Sequence, residues 1–347
     1  MSDEVRIGIV GAGANTVSRH IPGLKAISGV QLISVCNRTE ESSSRVAAQS
    51  GIRTIYRNWK ELVQAPDTNA IVIGTWPYMH ERVTLAALEA GKHVLCEARM
   101  AGNAAEARAM LAAAQARPEL VAQVVPSPYT LRVDAMIQRL MADGYLGDIL
   151  AVEIRVGGVF LDAGAPLHWR HDFDLSGLNV MGLGIWYEAL MRWVGEATRV
   201  MAMGKTCVRQ RKDASGRMRA VRTPEHIDVI ADMACGAQAH LQVSSVAGLA
   251  GAPEAFLFGS KGTLRFTQDR LYGGQRGDSS LTEIDIPAEL AGTWRVEQEF
   301  IDAICGRGII THTTFNDGVK YMEFTEAVAR SMAQNRAISL PLLDVVH

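Results

Sequence analysis

Apolar residues in the first third of the chain fall in short, nearly unbroken runs: VRIGIV (5–10), VQLISVC (30–36), AIVIGT (70–75), KHVLCE (92–97) and LVAQVV (120–125). The segments between them, 16–27, 40–49, 78–90 and 103–116, place apolar side chains at helical spacing instead. Short strands apolar on both faces, alternating with helices, predict a parallel sheet covered on both sides. Residues 1–125 are therefore expected to form a doubly wound α/β domain of the Rossmann kind, the architecture of nucleotide-binding domains.

Beyond Pro126 the rhythm changes. An amphipathic helix over 129–143 runs to Gly144, and long strand candidates follow at 148–157, 197–207, 226–234, 237–246, 254–259 and 262–267. Turns at Gly236 and at Lys261-Gly262 join pairs of these as antiparallel hairpins. An apolar helix over 179–195 interrupts the strands. Helices over 294–305 and 316–334 precede a last strand, AISLPL. Residues 126–347 read as an α+β domain on a large, mostly antiparallel sheet, with a C-terminal helix able to pack back on the first domain.

Composition adds mainly exclusions. A chain of 347 residues suits two domains, and 48% hydrophobic with 21% charged residues is ordinary for globular proteins. A net charge of −2 offers no attraction to nucleic acid or an acidic membrane. The densest basic stretch, 208–222, is broken by Asp213 and Gly216 and reads as a solvated hairpin or loop. Five widely spaced cysteines, with no C-x-x-C pair and no metal-ligand spacing, indicate free thiols in a reducing compartment and no metal site. A strand beginning within five residues leaves no room for a leader, and no segment is apolar enough to span a bilayer. A cytoplasmic protein is expected.

The turn after the first strand, GIVGAGANTVSRH, has the context of a dinucleotide loop. Gly11 permits the tight turn and Gly13 a close backbone approach, with Ala14, Asn15 and Thr16 opening the helix. Thr16 occupies the third glycine position and is expected to loosen the helix–strand contact. NAD-binding domains usually end the second strand in a carboxylate that holds the ribose 2′-hydroxyl. Here Asn37, Arg38 and Thr39 stand there, a set suited to a 2′-phosphate. That favours NADP, with NAD left open because Arg38 could equally stack on adenine.

Taken in order, several blocks resemble the Gfo/Idh/MocA oxidoreductases, which include glucose-fructose oxidoreductase and inositol dehydrogenase. GTWPYMHERVTLAALEAGKHVLCEARMA (74–101) is similar to that family's T-P-x-x-x-H, A-L-x-A-G-K-H-V and E-K-P elements. HWRHD (168–172) resembles its W-R element, and 176–196 its second-domain catalytic helix. The resemblance implies that Thr75, Trp76, Pro77, His80 and Glu97 face the cofactor, with Trp76 near the nicotinamide ribose. It also implies a homo-oligomer, a dimer or tetramer, paired through the open face of the second-domain sheet.

The chemical residues depart from the pattern. The lysine of E-K-P corresponds to Ala98 and its proline to Arg99, while the Asp and His of the catalytic helix correspond to Gly182 and Trp186. None of Ala98, Gly182 and Trp186 can exchange a proton with an alcohol. Replacement proton carriers are sought in His168, His171 and Tyr187. Arg99 could bind a substrate carboxylate or oxyanion, or pair with an acid. Trp169, Arg170 and Trp186 are candidate substrate contacts, although aromatic residues on apolar elements are also ordinary core. The expected function is NAD(P)-dependent oxidation or reduction of a sugar, polyol or related hydroxy or oxo compound. A non-redox lyase, hydratase or isomerase, and a silent dinucleotide-binding regulator, are the alternatives.

Overall fold

The computed structural model describes residues 4–343. They fall into two compact units: one of residues 4–126, 174–177 and 295–322, the other of 127–173, 178–294 and 323–343.

The first unit contains β1 (Val5–Val10), a π-helical turn (Thr16–His20) continuing as α1 (Ile21–Lys25), β2 (Val30–Cys36), α2 (Glu40–Ser50), β3 (Thr54–Ile55), α3 (Trp59–Gln64), β4 (Ala70–Ile73), α4 (His80–Glu89), β5 (His93–Cys96), α5 (Ala104–Gln115) and β6 (Ala122–Val124). Its strands are all parallel, in the order β3-β2-β1-β4-β5-β6. This is the doubly wound order whose reversal between β1 and β4 opens a crevice at the strand ends. Ile7, Ile9, Ile71, Ile73, Val94 and Leu95 are buried, as runs apolar on both faces require. Helix starts follow from local chemistry: Thr39, Asn58 and Asn103 cap α2, α3 and α5 by accepting the backbone N–H of Ser42, Lys60 and Glu106.

The second unit holds α6 (Leu131–Ala142), β7 (Ile149–Gly158), α8 (Leu183–Val194) and the strands β8 (Ala197–Lys205), β9 (Gln210–Lys212), β10 (Met218–Ala220), β11 (His226–Met233), β12 (Gln238–Gly248), β13 (Glu254–Gly259), β14 (Gly262–Thr267), β15 (Arg270–Gln275) and β16 (Thr282–Ile284). A short helix, α7 (Phe173–Ser176), precedes α8; α9 (Val296–Ile304), α10 (Phe315–Gln334) and β17 (Ile338–Ser339) follow β16. The large sheet has the order β16-β15-β14-β13-β7-β12-β11-β8-β17. Its pairings are antiparallel except β7 with β12, in agreement with the expected fold class. One face is buried (Ile227, Val229, Leu241, Leu257, Leu264), while Met201, Met203 and Ile230 are exposed on the other.

The basic stretch 208–222 forms the hairpin β9–β10, one of the two forms expected of it. Other elements differ from expectation. β15 and β16 were not anticipated, because RLYGGQ has two glycines and little intrinsic strand preference; the ladder of β14 draws it into the sheet. The closing strand is shorter than AISLPL because Pro341 cannot donate to a ladder.

Candidate functional site

In the first unit, a cleft of about 230 Å³ lies at the ends of β1, β2 and β4, lined by Gly11, Gly13, Arg38, Thr39, Thr75 and Trp76 among others. Gly11 has φ +83°, and a Cβ there would lie 2.6 Å from Thr75 N, so the loop can lie against the next strand end only as glycine. Ala14 and Asn15 are exposed at the start of the helix and Thr16 is buried. The expected loosening by Thr16 does not occur. Gly74 stands opposite it, and a Cβ on Gly74 would come within 2.1 Å of Thr16 Oγ1. The small residue that packing needs is supplied from β4's end instead of the helix.

Asn37 and Thr39 are already engaged within the protein. Asn37 Oδ1 accepts from Ala12 N at 2.6 Å and its Nδ2 donates to Ser42 Oγ at 2.9 Å. Thr39 Oγ1 accepts from Ser42 N. Arg38 is exposed, with its guanidinium 5.3 Å from the centre of the Trp76 ring. Trp76 thus packs on the β2 side of the cleft, in the same lining as Thr75. Thr75 Oγ1 is buried in this lining without a hydrogen-bond partner among the described residues. An orphaned hydroxyl beside a glycine cradle and an exposed arginine fits a dinucleotide ligand.

His80 corrects an expectation. It is fully buried at the start of α4, with Nδ1 2.9 Å from Arg99 O and Nε2 3.0 Å from Thr75 O. Both ring nitrogens lie against backbone carbonyls, so the side chain fastens the segment after β4 to the segment after β5 and presents nothing to a cofactor. Burial pushes its pKa down, which favours the neutral ring. Pro77 is likewise buried, opening the turn before α4. Tyr321 accepts the Met100 N–H from α10 and braces the same β5 segment.

Glu97, just past β5, is joined to two residues that sequence reasoning missed, His20 and Glu297. Its Oε1 accepts from Asn15 Nδ2 and lies 3.0 Å from His20 Nε2, and its Oε2 accepts from Ala98 N. His20 Nδ1 lies 2.6 Å from Glu297 Oε1 on α9. Burial of the fully enclosed ring opposes its charge, but the carboxylates on either side prevail and push its pKa up to about 9. Glu97 is correspondingly held below its usual range: burial opposes this, and His20, Asn15 and the Ala98 N–H outweigh it. His20 falls four residues after Thr16, on the same helical face, and that spacing was the available signal. Nothing in the sequence pointed to its partner in α9.

Ala98 is half-buried and Arg99 buried, at 3% exposure. Arg99's backbone carbonyl is one of the anchors of His80.

In the second unit, His168, Trp169, Arg170 and His171 sit on one short 3₁₀ turn, Trp169–His171, with His168 as its cap through Nδ1 accepting from Arg170 N. The two imidazoles are 6.5 Å apart, and Arg170 lies 4.2 Å over the Trp169 ring. Both histidine pKa values are lowered. Burial comes first for each, followed by Arg170 and His171 for His168 and by Arg211 for His171. Neutral imidazoles at physiological pH can accept a proton. Arg211 anchors the preceding loop by donating to Asp162 O and Ala165 O, and is itself held by Glu225 at 3.0 Å.

Tyr187 is the clearest correction. It is 1% exposed, stacks on Phe324 at 3.6 Å and accepts the Ala197 N–H. Burial pushes its pKa far up. It ties α8 to β8 inside the core and carries no substrate proton. Trp186 is also interior at 3% exposure, stacked on Tyr129 at 5.0 Å and close to Phe266, so it serves packing and not substrate stacking. Its ring lies 3.6 Å from where a Cβ on Gly182 would stand. The adjacent Glu188 accepts from Ser127 N and pairs with Arg192.

Among the described residues no helix is long and apolar enough to cross a membrane. A family profile described as an oxidoreductase family with an NAD-binding Rossmann fold matches residues 5–124, and a GFO/IDH/MocA C-terminal domain profile matches 135–265. Over 182 residues the chain is 30% identical to a trans-1,2-dihydrobenzene-1,2-diol dehydrogenase of Bos taurus, covering 52% of each protein. It is 26% identical over 196 residues to a levoglucosan dehydrogenase of Pseudarthrobacter phenanthrenivorans, covering 54% of this chain and 49% of that one. The match therefore spans about half the length of these curated relatives. In fold, a levoglucosan dehydrogenase solved with NADH and L-sorbose superposes with a TM-score of 0.86, covering 97% of this chain and 99% of that one at 20% identity. With both domains matched in sequence and the glycine cradle in place, the chain belongs to the Gfo/Idh/MocA oxidoreductase family.

Proposed function

We propose that the protein is an NAD(P)-dependent oxidoreductase acting on a sugar, polyol or related small hydroxy or oxo compound. The observation that carries this is the cleft of the first unit, where Gly11, Gly13, Arg38 and the unpartnered Thr75 hydroxyl form a lining suited to a dinucleotide. A bound nicotinamide supplies acceptance or delivery of a hydride. Gly11 and Gly13 leave room for phosphate, and the helix start beyond them offers backbone N–H donors. Arg38 would hold the adenosine end, through a 2′-phosphate in the preferred cofactor, NADP; no carboxylate ends β2 to repel that group. Glu97, ionised, would accept from an amide N–H. Proton transfer falls to His168 or His171, neutral and on one turn, since Ala98, Gly182 and Trp186 cannot perform it.

Substrate class follows from the dehydrogenases among the relatives, and a second copy of the chain would cover the open sheet face with Met201, Met203 and Ile230. The test is to incubate the protein with NADP or NAD, oxidised and reduced, and a panel of polyols, sugars, hydroxy acids and imines, following nicotinamide absorbance. Turnover with at least one class is expected, weakened by His168→Asn or His171→Asn. A panel that leaves both redox forms untouched would refute the reading. The Trp186 indole packed over Gly182 specifically favours a second reading, a non-redox lyase, hydratase or isomerase. It would show as a changed substrate mass with no net change in the cofactor.

A further inference from the structure

The set formed by Glu97, His20 and Glu297 has a charge that changes by one unit when His20 gains or loses its proton. With His20 protonated, two carboxylates and one imidazolium give −1; with His20 neutral, −2. Glu97 faces the His20 ring from the end of β5 and Glu297 from α9. β2, which packs on α1, carries no charged residue, and Arg19 and Lys25 are the cations on its own helix. His20 and Glu297 are almost sealed from solvent, whereas the Glu97 side chain retains 14% exposure. The set is therefore buried at one end and open at the strand end that follows β5. Asn15 ties that open end to the glycine loop.

We infer that His20 is a positioning residue whose protonation, acting through Glu97, sets the protein's relative affinity for the oxidised and reduced forms of the nicotinamide cofactor. The inference rests on the cofactor reading above. Its physical basis is simple: the oxidised nicotinamide ring is a cation and the reduced ring is neutral, so only the first responds to the charge of the set. At −1 the set offers a single compensating charge. When His20 loses its proton the set reaches −2 and favours the oxidised form further. One unit of charge in a partly screened site corresponds to an affinity change on the order of tenfold.

The test is equilibrium binding of NADP+, NADPH, NAD+ and NADH to the whole chain, by calorimetry or tryptophan fluorescence, from pH 6.5 to 10. The ratio of the reduced-form Kd to the oxidised-form Kd is expected to rise about tenfold, with a midpoint near the His20 pKa of about 9. Glu297→Gln keeps an oxygen to accept from His20 Nδ1 and removes one carboxylate, so it should move that midpoint to lower pH. A purely structural role would weaken both forms together and leave the midpoint in place. Binding of both forms with a pH-independent ratio, or a midpoint unmoved in Glu297→Gln, would overturn this inference alone. Failure of all four cofactors to bind would overturn the cofactor reading and this inference with it.

Discussion

Replacing His20 by Gln should change how stability depends on pH, and the structure gives the size. The imidazole titrates near 6.5 when unfolded and at about 9 when held between Glu97 and Glu297. Each pH unit of that interval is worth about 1.4 kcal/mol, so the interaction contributes roughly 3 kcal/mol. Because the folded value is raised, the contribution is complete below pH 6.5 and is lost as pH climbs through 9. Glu97's depressed value is the same interaction seen from its partner and is counted once. At 2–4 °C per kcal/mol, the melting temperature of the unit containing His20 should fall by roughly 6–12 °C across this window. The assay is calorimetry or circular dichroism at half-unit pH steps on wild type and His20→Gln. The wild-type curve should drop between pH 6.5 and 9 while the variant, less stable at the outset, stays flatter there. Two curves running parallel through the window would show that His20 is not titrating between the carboxylates.

Gly74→Ala would place a methyl within 2.1 Å of Thr16 Oγ1 and 2.3 Å of Gly11 O. The glycine loop must shift, and cofactor affinity measured by fluorescence should fall at least tenfold; unchanged affinity would refute the packing argument. Tyr187→Phe leaves the Ala197 N–H without its acceptor, a loss of about 1–3 kcal/mol. The melting temperature should fall while any turnover persists, and turnover lost with stability intact would restore Tyr187 as a proton carrier. Reverting Gly182→Asp and Trp186→His together with Ala98→Lys removes an indole stacked on Tyr129, at a cost of about 2–4 kcal/mol. Polyol oxidation by that triple variant would show that these positions set the chemistry, and none in a variant still folded and binding cofactor would show that others do.

The fold was legible because its two periodicities are strong. The cores of runs such as AIVIGT and KHVLCE, namely AIVI (70–73) and VLC (94–96), are apolar at every position and buried, and a sheet covered on both faces accepts that pattern. The glycine loop was legible for a similar reason, since Gly11 and Gly13 follow a strand directly. The functions of individual polar residues were less so. His80 belongs to a family block and looks like a ligand contact, yet its ring faces two backbone carbonyls whose positions depend on where β4 and β5 end. Tyr187 carries a hydroxyl on an apolar helix, and whether such a group meets substrate or a backbone N–H depends on β8, which lies later in sequence. His20 was missed because its partner Glu297 is 277 residues away. In each case a polar atom's role is decided by a partner in another element, which the pattern of its own element does not encode.

The departures from the family's chemical residues are connected by packing. An aspartate and a histidine one helical turn apart are polar groups that need hydrogen-bond partners. Gly182 and Trp186 instead form a closed apolar pair, the indole occupying the room above the glycine and resting on Tyr129 and Phe266. A lone Trp beside an Asp would strand the carboxylate against an apolar ring, and a lone Gly beside a His would leave a void, so the two residues fit best together. The glycine loop, the His80 fastening and the Glu97–His20–Glu297 set belong to the first unit and are built without those positions. The lining of the first unit's cleft can therefore form without an aspartate at 182 or a histidine at 186.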